Sequence, residues 1–153
     1  MSAAIDTAVK AKFATATKAL NARMQASGVA MSDAEQKAHN PVTHDFGDGV
    51  YIRRIVMPAG QVIVSRIHKK THPFFILRGC IAVVTEDGEE ILEAPHYGMT
   101  PAGTQRVLYT VEETEFVTCH ATELTDPDEI EAELTAEDFS DPAVSHLVTG
   151  EIE

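Results

Sequence analysis

The sequence predicts an all-β core, a sandwich or barrel, with a helical arm before it and an acidic helix and tail after it. Short β-rich runs broken by turn residues fill residues 42–122, without the helical stretches that alternate with strands in βαβ units. A helical repeat of apolar residues precedes them, and acidic residues dominate the remainder. At 153 residues and 44% hydrophobic composition, the chain can bury one substantial core. We therefore expect an arm over 1–41, a barrel over 42–122, and an acidic helix and tail over 123–153.

The arm is predicted to contain two helices. In residues 3–27 an apolar side chain recurs at every third or fourth position, which is the repeat of a helix with one apolar stripe. Gly28 ends this repeat. The segment Ser32-Asp33-Ala34-Glu35 has the form of a capping box and predicts a short second helix before Asn40-Pro41. The stripe consists of Ile5, Val9, Phe13, Ala16, Leu20 and Met24.

The barrel segment is predicted to consist of short strands joined by tight turns. Asp87-Gly88 indicates a two-residue hairpin of type I′, which needs positive φ at both central positions. Residues 112–114 are interpreted as a three-residue loop that joins the last two strands in a hairpin. The predicted strands are Val50–Val56, Gln61–His68, Phe74–Leu77, Ile81–Thr85, Glu90–Glu93, Gln105–Val111 and Glu115–Ala121.

The segment after the barrel is acidic throughout. No Lys or Arg follows Arg106, and a helix is predicted from Thr125-Asp126-Pro127 to about Leu134. In the tail beyond it, the candidate docking residues are Phe139, Val144, Leu147 and Val148.

Charge and hydropathy exclude two classes of partner. The net charge of −12 disfavours binding to nucleic acid, which needs clustered Lys and Arg. No apolar run approaches the roughly 18 residues that cross a bilayer, and the first residues lack the apolar centre of a secretory signal. We expect a cytoplasmic protein without nucleic-acid or membrane partners. Cys80 and Cys119 lie in apolar strand-like surroundings without metal-type spacing, which predicts buried reduced thiols.

Two histidines four residues apart form the first candidate site, in the stretch RIHKKTHPFFILRG that begins at residue 66. Pro73 directly after His72 disfavours a helix there, and the flanking residues are β-branched or aromatic. Strand side chains alternate, so Arg66 and His68 are predicted to point to one face. A corner at Lys69-Lys70 would then bring both imidazoles to the same interior.

This stretch resembles the first motif of the cupin superfamily, small jelly-roll barrels in which a Pro-Gly turn leads through a His-x-His strand to a Glu and then a Gly. Pro58-Ala59-Gly60 and Gly79 bracket the corresponding residues here. His68 stands at the position of the second His, Arg66 replaces the first, and His72 occupies the position of the Glu. The resemblance implies a cupin-like jelly-roll barrel.

The second cupin motif, Pro-x-Gly-x-x-His, is matched by residues 101–106, with Arg106 in place of the His ligand. Only two of the four usual ligand positions therefore carry a metal-binding side chain. A narrower resemblance covers most of residues 41–134. The strings IHKKTHPF, VVTEDGEEILEAP, PAGTQRVLYTVEETEFVTCHAT and DPDEIEAEL are similar to uncharacterised cupin-like proteins of tailed bacteriophages. That resemblance implies a viral origin, in the host cytoplasm or the virion, without an established activity.

His120 is predicted to complete the site. In a hairpin with three loop residues, counting outward puts Arg106 opposite His120, whereas a loop of two or four residues turns His120 to the other face. His68, His72 and His120 would then form a three-imidazole site suited to Zn²⁺, Fe²⁺, Mn²⁺ or Ni²⁺. The alternative is a set of hydrogen-bonded barrel histidines without metal. Arg66 and Arg106 oppose a cation and favour an anionic ligand such as a carboxylate or phosphate.

Three functions are compatible with these residues. The favoured one is a phage structural or accessory protein that uses the barrel as a scaffold and contacts other virion proteins. The second is a non-catalytic barrel that binds a metal, a small anion or both. The third, a metal-dependent oxygenase or isomerase, is disfavoured because the Glu of the first motif and the His of the second are missing.

The sequence also predicts at least a dimer. Both faces of the last two predicted strands are largely apolar, so each face needs a covering, and the barrel interior supplies only one. The N-terminal helix or a second subunit would supply the other. One face carries Arg106, Leu108, Phe116, Thr118 and His120, and the other carries Val107, Tyr109, Val111, Val117 and Cys119.

Overall fold

The computed structural model describes residues 7–28 and 30–149, so Ile5 of the predicted stripe lies outside the described residues. The helices are α1 (Thr7–Ala26), α2 (Asp33–His39), α3 (Pro127–Leu134) and α4 (His146–Thr149). The strands are β1 (Val42–Gly47), β2 (Val50–Met57), β3 (Val62–Val64), β4 (Ile67–His68), β5 (His72–Arg78), β6 (Cys80–Thr85), β7 (Gly88–Glu93), β8 (His96–Thr100), β9 (Val107–Thr110), β10 (Thr114–Ala121) and β11 (Thr135–Ala136).

Most strands belong to two antiparallel sheets. One has five strands in the order β1-β2-β10-β5-β8, and the other has four in the order β3-β9-β6-β7. Strands β4 and β11 form a separate pair. The predicted all-β core of jelly-roll type, preceded by a helix, is confirmed. The main hydrophobic cluster joins the two sheets and contains Phe74, Ile76, Ile81, Val83, Leu92 and Leu108.

The register of the five-stranded sheet decides which residues face this core. His120 lies opposite Tyr51, and Thr118 lies opposite both Arg53 and Phe74. Because side chains alternate along a strand, these residues share the face to which the core residue Phe74 belongs. The intervening positions face outward. The inner face of this sheet therefore carries polar and aromatic side chains at one end and apolar core at the other.

The chain passes from one sheet to the other at a corner built around Gly79. Strands β5 and β6 lie in different sheets, and so do β9 and β10, so the predicted hairpin with a three-residue loop is wrong. The backbone N–H groups of Val111 and Glu112 both donate to Cys80 O, at 3.0 and 3.2 Å, which holds the two crossings together. Gly79 has a φ of +98°, and a Cβ there would lie 2.3 Å from Glu113 O. Only glycine allows this close approach.

The hairpin between β6 and β7 is confirmed, but its turn differs from the predicted one. Thr85 pairs with Gly88, so the loop residues are Glu86 and Asp87. Gly88 has a φ of 119°, whereas no described non-glycine residue has a positive φ. Because a type I′ turn needs positive φ at both central positions, the predicted turn centred on Asp87-Gly88 is wrong.

Helix α1 packs on its own barrel through polar side chains. Lys10 and Thr17 are buried, whereas Val9 of the predicted apolar stripe is 41% exposed. Lys10 Nζ donates to Glu86 Oε1 at 2.5 Å and to Gly103 O at 2.9 Å. Phe13, Leu20 and Met24 of the stripe are half-buried, whereas Val9 and Ala16 are exposed. The buried side of the helix therefore keeps part of the predicted stripe but contains Lys10 and Thr17 in place of Val9 and Ala16.

Helices α2 and α3 begin and end close to the predicted positions, whereas α4 lies in the predicted tail. The predicted capping box of α2 is present: Ser32 Oγ accepts from the Glu35 N–H at 3.2 Å, and the Glu35 carboxylate accepts from the Ser32 N–H at 2.9 Å. Asp126 caps the acidic helix α3, which ends at Leu134 as predicted.

The acidic segment packs back onto the barrel. One cluster joins α3 to β2 and contains Tyr51, Ile130 and Leu134. A second joins the tail to β4 and contains Ile67, Ala136 and Val144, with Phe139 and Leu147 against it. Three of the four predicted docking residues thus contact the barrel side of the molecule. No helix in the described ranges is long and apolar enough to cross a membrane.

Candidate functional site

His68 and His72 lie on either side of a chain reversal. Strand β4 ends at His68, the chain bends at residues 69–70, and β5 begins at His72, so the predicted corner is formed. The two ring centroids are 4.5 Å apart. His72 is 4% exposed, and its Nδ1 lies 3.1 Å from Lys70 O. Because a carbonyl only accepts, Nδ1 carries the proton there and Nε2 is left as an acceptor when the ring is neutral.

Arg66 is directed away from these two histidines. The strand is interrupted between Val64 and Ile67, so the alternation that predicted Arg66 and His68 on one face does not continue. Arg66 Nε donates to Thr135 Oγ1 at 2.8 Å and lies 3.1 Å from Glu131 Oε1. Its charge is balanced by this carboxylate. The assignment of Arg66 as a ligand-binding residue stays a prediction that these contacts do not support.

His120 reaches the pair from the neighbouring strand β10. Its ring centroid lies 4.3 Å from that of His72 and 6.5 Å from that of His68. The three predicted histidines therefore lie together. The pairing of β10 with β2 and β5 brings His120 there, and not the predicted hairpin opposite Arg106. His120 Nε2 is 2.9 Å from Thr118 Oγ1.

Two arginines add positive charge to this cluster. Arg53 lies on the inner face of β2, opposite Thr118. Arg106 precedes β9, and its guanidinium carbon lies 4.7 Å from the ring centroid of Phe74. Arg106 Nε is buried and has no hydrogen-bond partner. Within the described residues, neither arginine forms an ion pair.

The three imidazoles are neutral at pH 7. Burial, followed by the charges of His72, His120 and Arg106, lowers the pKa of His68 to about 3. Burial and the neighbouring His72 lower the pKa of His120 to about 4. Burial also lowers the pKa of His72, partly opposed by its hydrogen bond to Lys70 O. Each ring thus has one N–H donor and one acceptor nitrogen.

Sequence reasoning missed Tyr51, which extends the row of rings. Tyr51 is 4% exposed, and its ring stacks on His120 with centroids 5.8 Å apart. Its Oη lies 2.6 Å from Nδ1 of the exposed His44. Burial raises the pKa of Tyr51. The sequence does show that Tyr51 and Arg53, two positions apart in a strand, share a face. This places them beside the histidines only once β2 is known to pair with β10.

The arrangement of the histidine cluster gives no specific support for a divalent metal. No group of three or more His, Cys, Asp or Glu side chains in the described part of the chain is placed to hold an ion. Neutral imidazoles can bind metals, but Arg53 and Arg106 oppose a further positive charge. The predicted metal site of His68, His72 and His120 is therefore not supported by their arrangement.

Comparison with known proteins finds likeness in fold alone. No family profile and no curated protein matches the sequence. A cupin superfamily protein of Desulfitobacterium hafniense is similar at 14% identity over 55% of this chain and 78% of that one, with a TM-score of 0.48. The cupin domain of Schizosaccharomyces pombe Cnp3 is similar at 20% identity, over 62% and 71%, with a TM-score of 0.48. KdgF from a Halomonas species is similar at 10% identity, over 60% and 85%, with a TM-score of 0.49. At these values the likenesses say nothing of ligand or activity, and they do not connect the chain to bacteriophages.

Proposed function

We propose that this protein binds a small anionic molecule inside its barrel, between Arg53, Arg106 and the three histidines, and that it does so without a metal ion. The observation that carries the proposal is the Arg106 guanidinium. It is partly buried against Phe74, its Nε is buried without a hydrogen-bond partner, and it forms no ion pair within the described residues.

The other arginines of the barrel make this observation specific. Residues 42–122 contain five arginines, and the three that face away from the histidines each pair with a glutamate. These pairs are Arg54 with Glu115, Arg66 with Glu131, and Arg78 with Glu113. The chain has 24 acidic residues, so carboxylates are abundant. Arg106 interacts with Glu90 only at longer range, and within the described residues neither inward arginine has a carboxylate at ion-pair distance. This supports a ligand as their counterion, because a half-buried charge without a close partner is costly.

The two arginines, together with His68, suit an anion better than a cation. A neutral imidazole has one N–H, and His68 Nδ1 is buried without a hydrogen-bond partner, whereas the N–H of His72 is already donated to Lys70 O. Two guanidinium groups offer further donors in a planar fork that matches a carboxylate or phosphate. A bound anion would satisfy these donors and would offset the mutual repulsion of Arg53 and Arg106.

Thermal unfolding in the presence of phosphate, acetate or oxalate tests the proposal at constant ionic strength in a zwitterionic buffer. At 100 times the Kd, a ligand stabilises by about 2.7 kcal/mol, which raises the Tm of a domain of this size by about 5–10 °C. We expect such a rise with at least one anion, and we expect Arg106→Gln to abolish it.

The matched control is Arg78→Gln, since Arg78 is an exposed arginine paired with Glu113 on the outside of the barrel. It should keep the response to the anion. Far-UV circular dichroism establishes that both variants are folded. The proposal is refuted if no anion raises the Tm of the wild type, or if Arg106→Gln responds as the wild type does.

The other functions expected from the sequence resemblance stay predictions. Nothing in the fold or the comparisons supports a virion role, and no observation of the site favours metal-dependent oxygenase or isomerase chemistry.

A further inference from the structure

The outer face of the five-stranded sheet is apolar across four neighbouring strands. Two adjacent rows of apolar side chains cross this face. One row contains the pairs Ile52–Cys119 and Pro73–Met99. The other contains Val117, Phe75 and Tyr97, which pair in that order. These positions alternate with the inner residues of the same strands, so all of them point away from the core. The face is therefore continuous from β2 to β8.

This apolar face is exposed to solvent. Tyr97 is 73% exposed, Leu77 and Met99 are each 56% exposed, and Ile52 is 37% exposed. Helix α1, the candidate covering, lies elsewhere, because its buried Lys10 contacts Glu86 and Gly103 at the barrel end. Scattered exposed apolar side chains are ordinary, but a contiguous patch of this kind marks an interaction surface.

Charge distinguishes this face from the outer face of the four-stranded sheet. Ile91 and Tyr109 are exposed there too, at 69% and 46%. Glu89 and Glu93 point the same way as Ile91, and within the described residues neither forms an ion pair. Two copies of a chain with a net charge of −12 that met at this face would bring four such carboxylates together.

The five-stranded face has no such obstacle. Its central charged residues, Arg54 and Glu115, already form an ion pair at 2.5 Å, and Arg78 pairs with Glu113 at its border. A further carboxylate, Asp45, lies on the edge strand β1. The surface is thus apolar with its central charges paired and Asp45 at its edge, so a second copy can approach it although the whole chain is acidic. A basic partner would instead be attracted to the acidic segment after residue 122.

We propose that two copies of this chain pack their five-stranded sheets against each other in an isologous dimer. In such a dimer the same patch is used twice, and two flat apolar sheets pack face to face about 10 Å apart. This inference is independent of the proposed anion site, which lies on the opposite face of the same sheet.

Sedimentation or light scattering at micromolar concentration in 0.15 M salt tests the dimer. The wild type should have twice the chain mass of 16.6 kDa. Met99→Glu should weaken the dimer at least tenfold, because it places a like charge in both halves of an apolar interface. The matched control, Ile91→Glu, adds the same charge to the other exposed face and should leave the dimer intact.

Tyr97→Ser serves as a second variant that adds no charge and removes only an exposed ring, and it should also weaken the dimer. A monomeric wild type overturns the proposal. So does a dimer that resists both Met99→Glu and Tyr97→Ser, or one that Ile91→Glu weakens as much as Met99→Glu does.

Discussion

Replacing Lys10 with methionine should destabilise the protein far more than a lysine substitution in a helix usually does. Lys10 is 6% exposed, and its Nζ donates to Glu86 Oε1 at 2.5 Å and to Gly103 O at 2.9 Å. Methionine fills a similar volume but leaves the Glu86 carboxylate without its counterion. Glu86 Oε2 is already buried without a hydrogen-bond partner, so the carboxylate has nothing else to compensate its burial.

The size of the effect follows from the burial of the pair. Removing one partner of a buried ion pair costs about 3–5 kcal/mol, because the remaining charge is left uncompensated. The Lys10 and Glu86 side chains are 7% and 16% exposed, so water reaches part of the carboxylate. We therefore expect Lys10→Met to lower the free energy of unfolding by about 3 kcal/mol, the lower end of that range.

Urea unfolding followed by far-UV circular dichroism measures this change. The exposed neighbour on the same helix provides a control, since Lys12→Met should change the free energy of unfolding by less than about 0.5 kcal/mol. The double variant Lys10→Met with Glu86→Gln leaves no unpaired charge and should be more stable than the sum of the two single effects predicts. Additive effects, together with a loss below about 1 kcal/mol for Lys10→Met, would refute a buried Lys10–Glu86 pair.

Three further predictions concern the corner, the histidines and the metal. Gly79→Ala should lower the free energy of unfolding in urea by about 1–3 kcal/mol, because the added Cβ would clash with Glu113 O. Gly60→Ala should lower it less, because Gly60 has a φ of +85° but open space around its Cβ position. Stability should fall as pH drops from about 6.5 towards 4, because His68 and His120 have pKa values of about 3 and 4 in the folded state and bind protons more readily when unfolded. A His120→Gln variant should show a shallower pH dependence, and an equal slope would contradict the neutral cluster. Elemental analysis of protein purified without added metal should find well below one equivalent of any divalent ion, and a stoichiometric metal would refute the metal-free site.

The sequence was sufficient to predict which face of a strand a side chain occupies, because side chains alternate between the two faces along any strand. The sequence assigned Thr118 and His120 to one face and Val117 and Cys119 to the other, and the structure places them so. The hairpin used to reach this result does not exist, but parity along a strand does not depend on the partner strand. The corner between His68 and His72 was likewise local, since it depended on Pro73 and the residues around it.

The features that the sequence did not reveal depend on contacts between segments far apart in the chain. Arg53 and Tyr51 reach the histidines because β2 lies beside β10, a contact between segments about sixty residues apart in the chain. The burial of Lys10 in α1 depends on Glu86, a partner 76 positions away. The apolar repeat of the helix cannot predict a polar partner that is so distant in the chain. The interruption at residues 65–66, which turns Arg66 to Glu131, is visible only once β4 pairs with β11.

Strand β10 links the two proposals, and its geometry also separates them. Thr118 and His120 face the anion site, while Val117 and Cys119 face the proposed dimer interface, so a slip of one residue would exchange the two sets. With the register fixed, a substitution on one face leaves the other face in place. The monomeric Met99→Glu variant should therefore keep the thermal response to the anion, and Arg106→Gln should remain a dimer. If the response to the anion disappears together with the dimer, the two sites are coupled through the sheet, and the interior site needs the second copy for its shape.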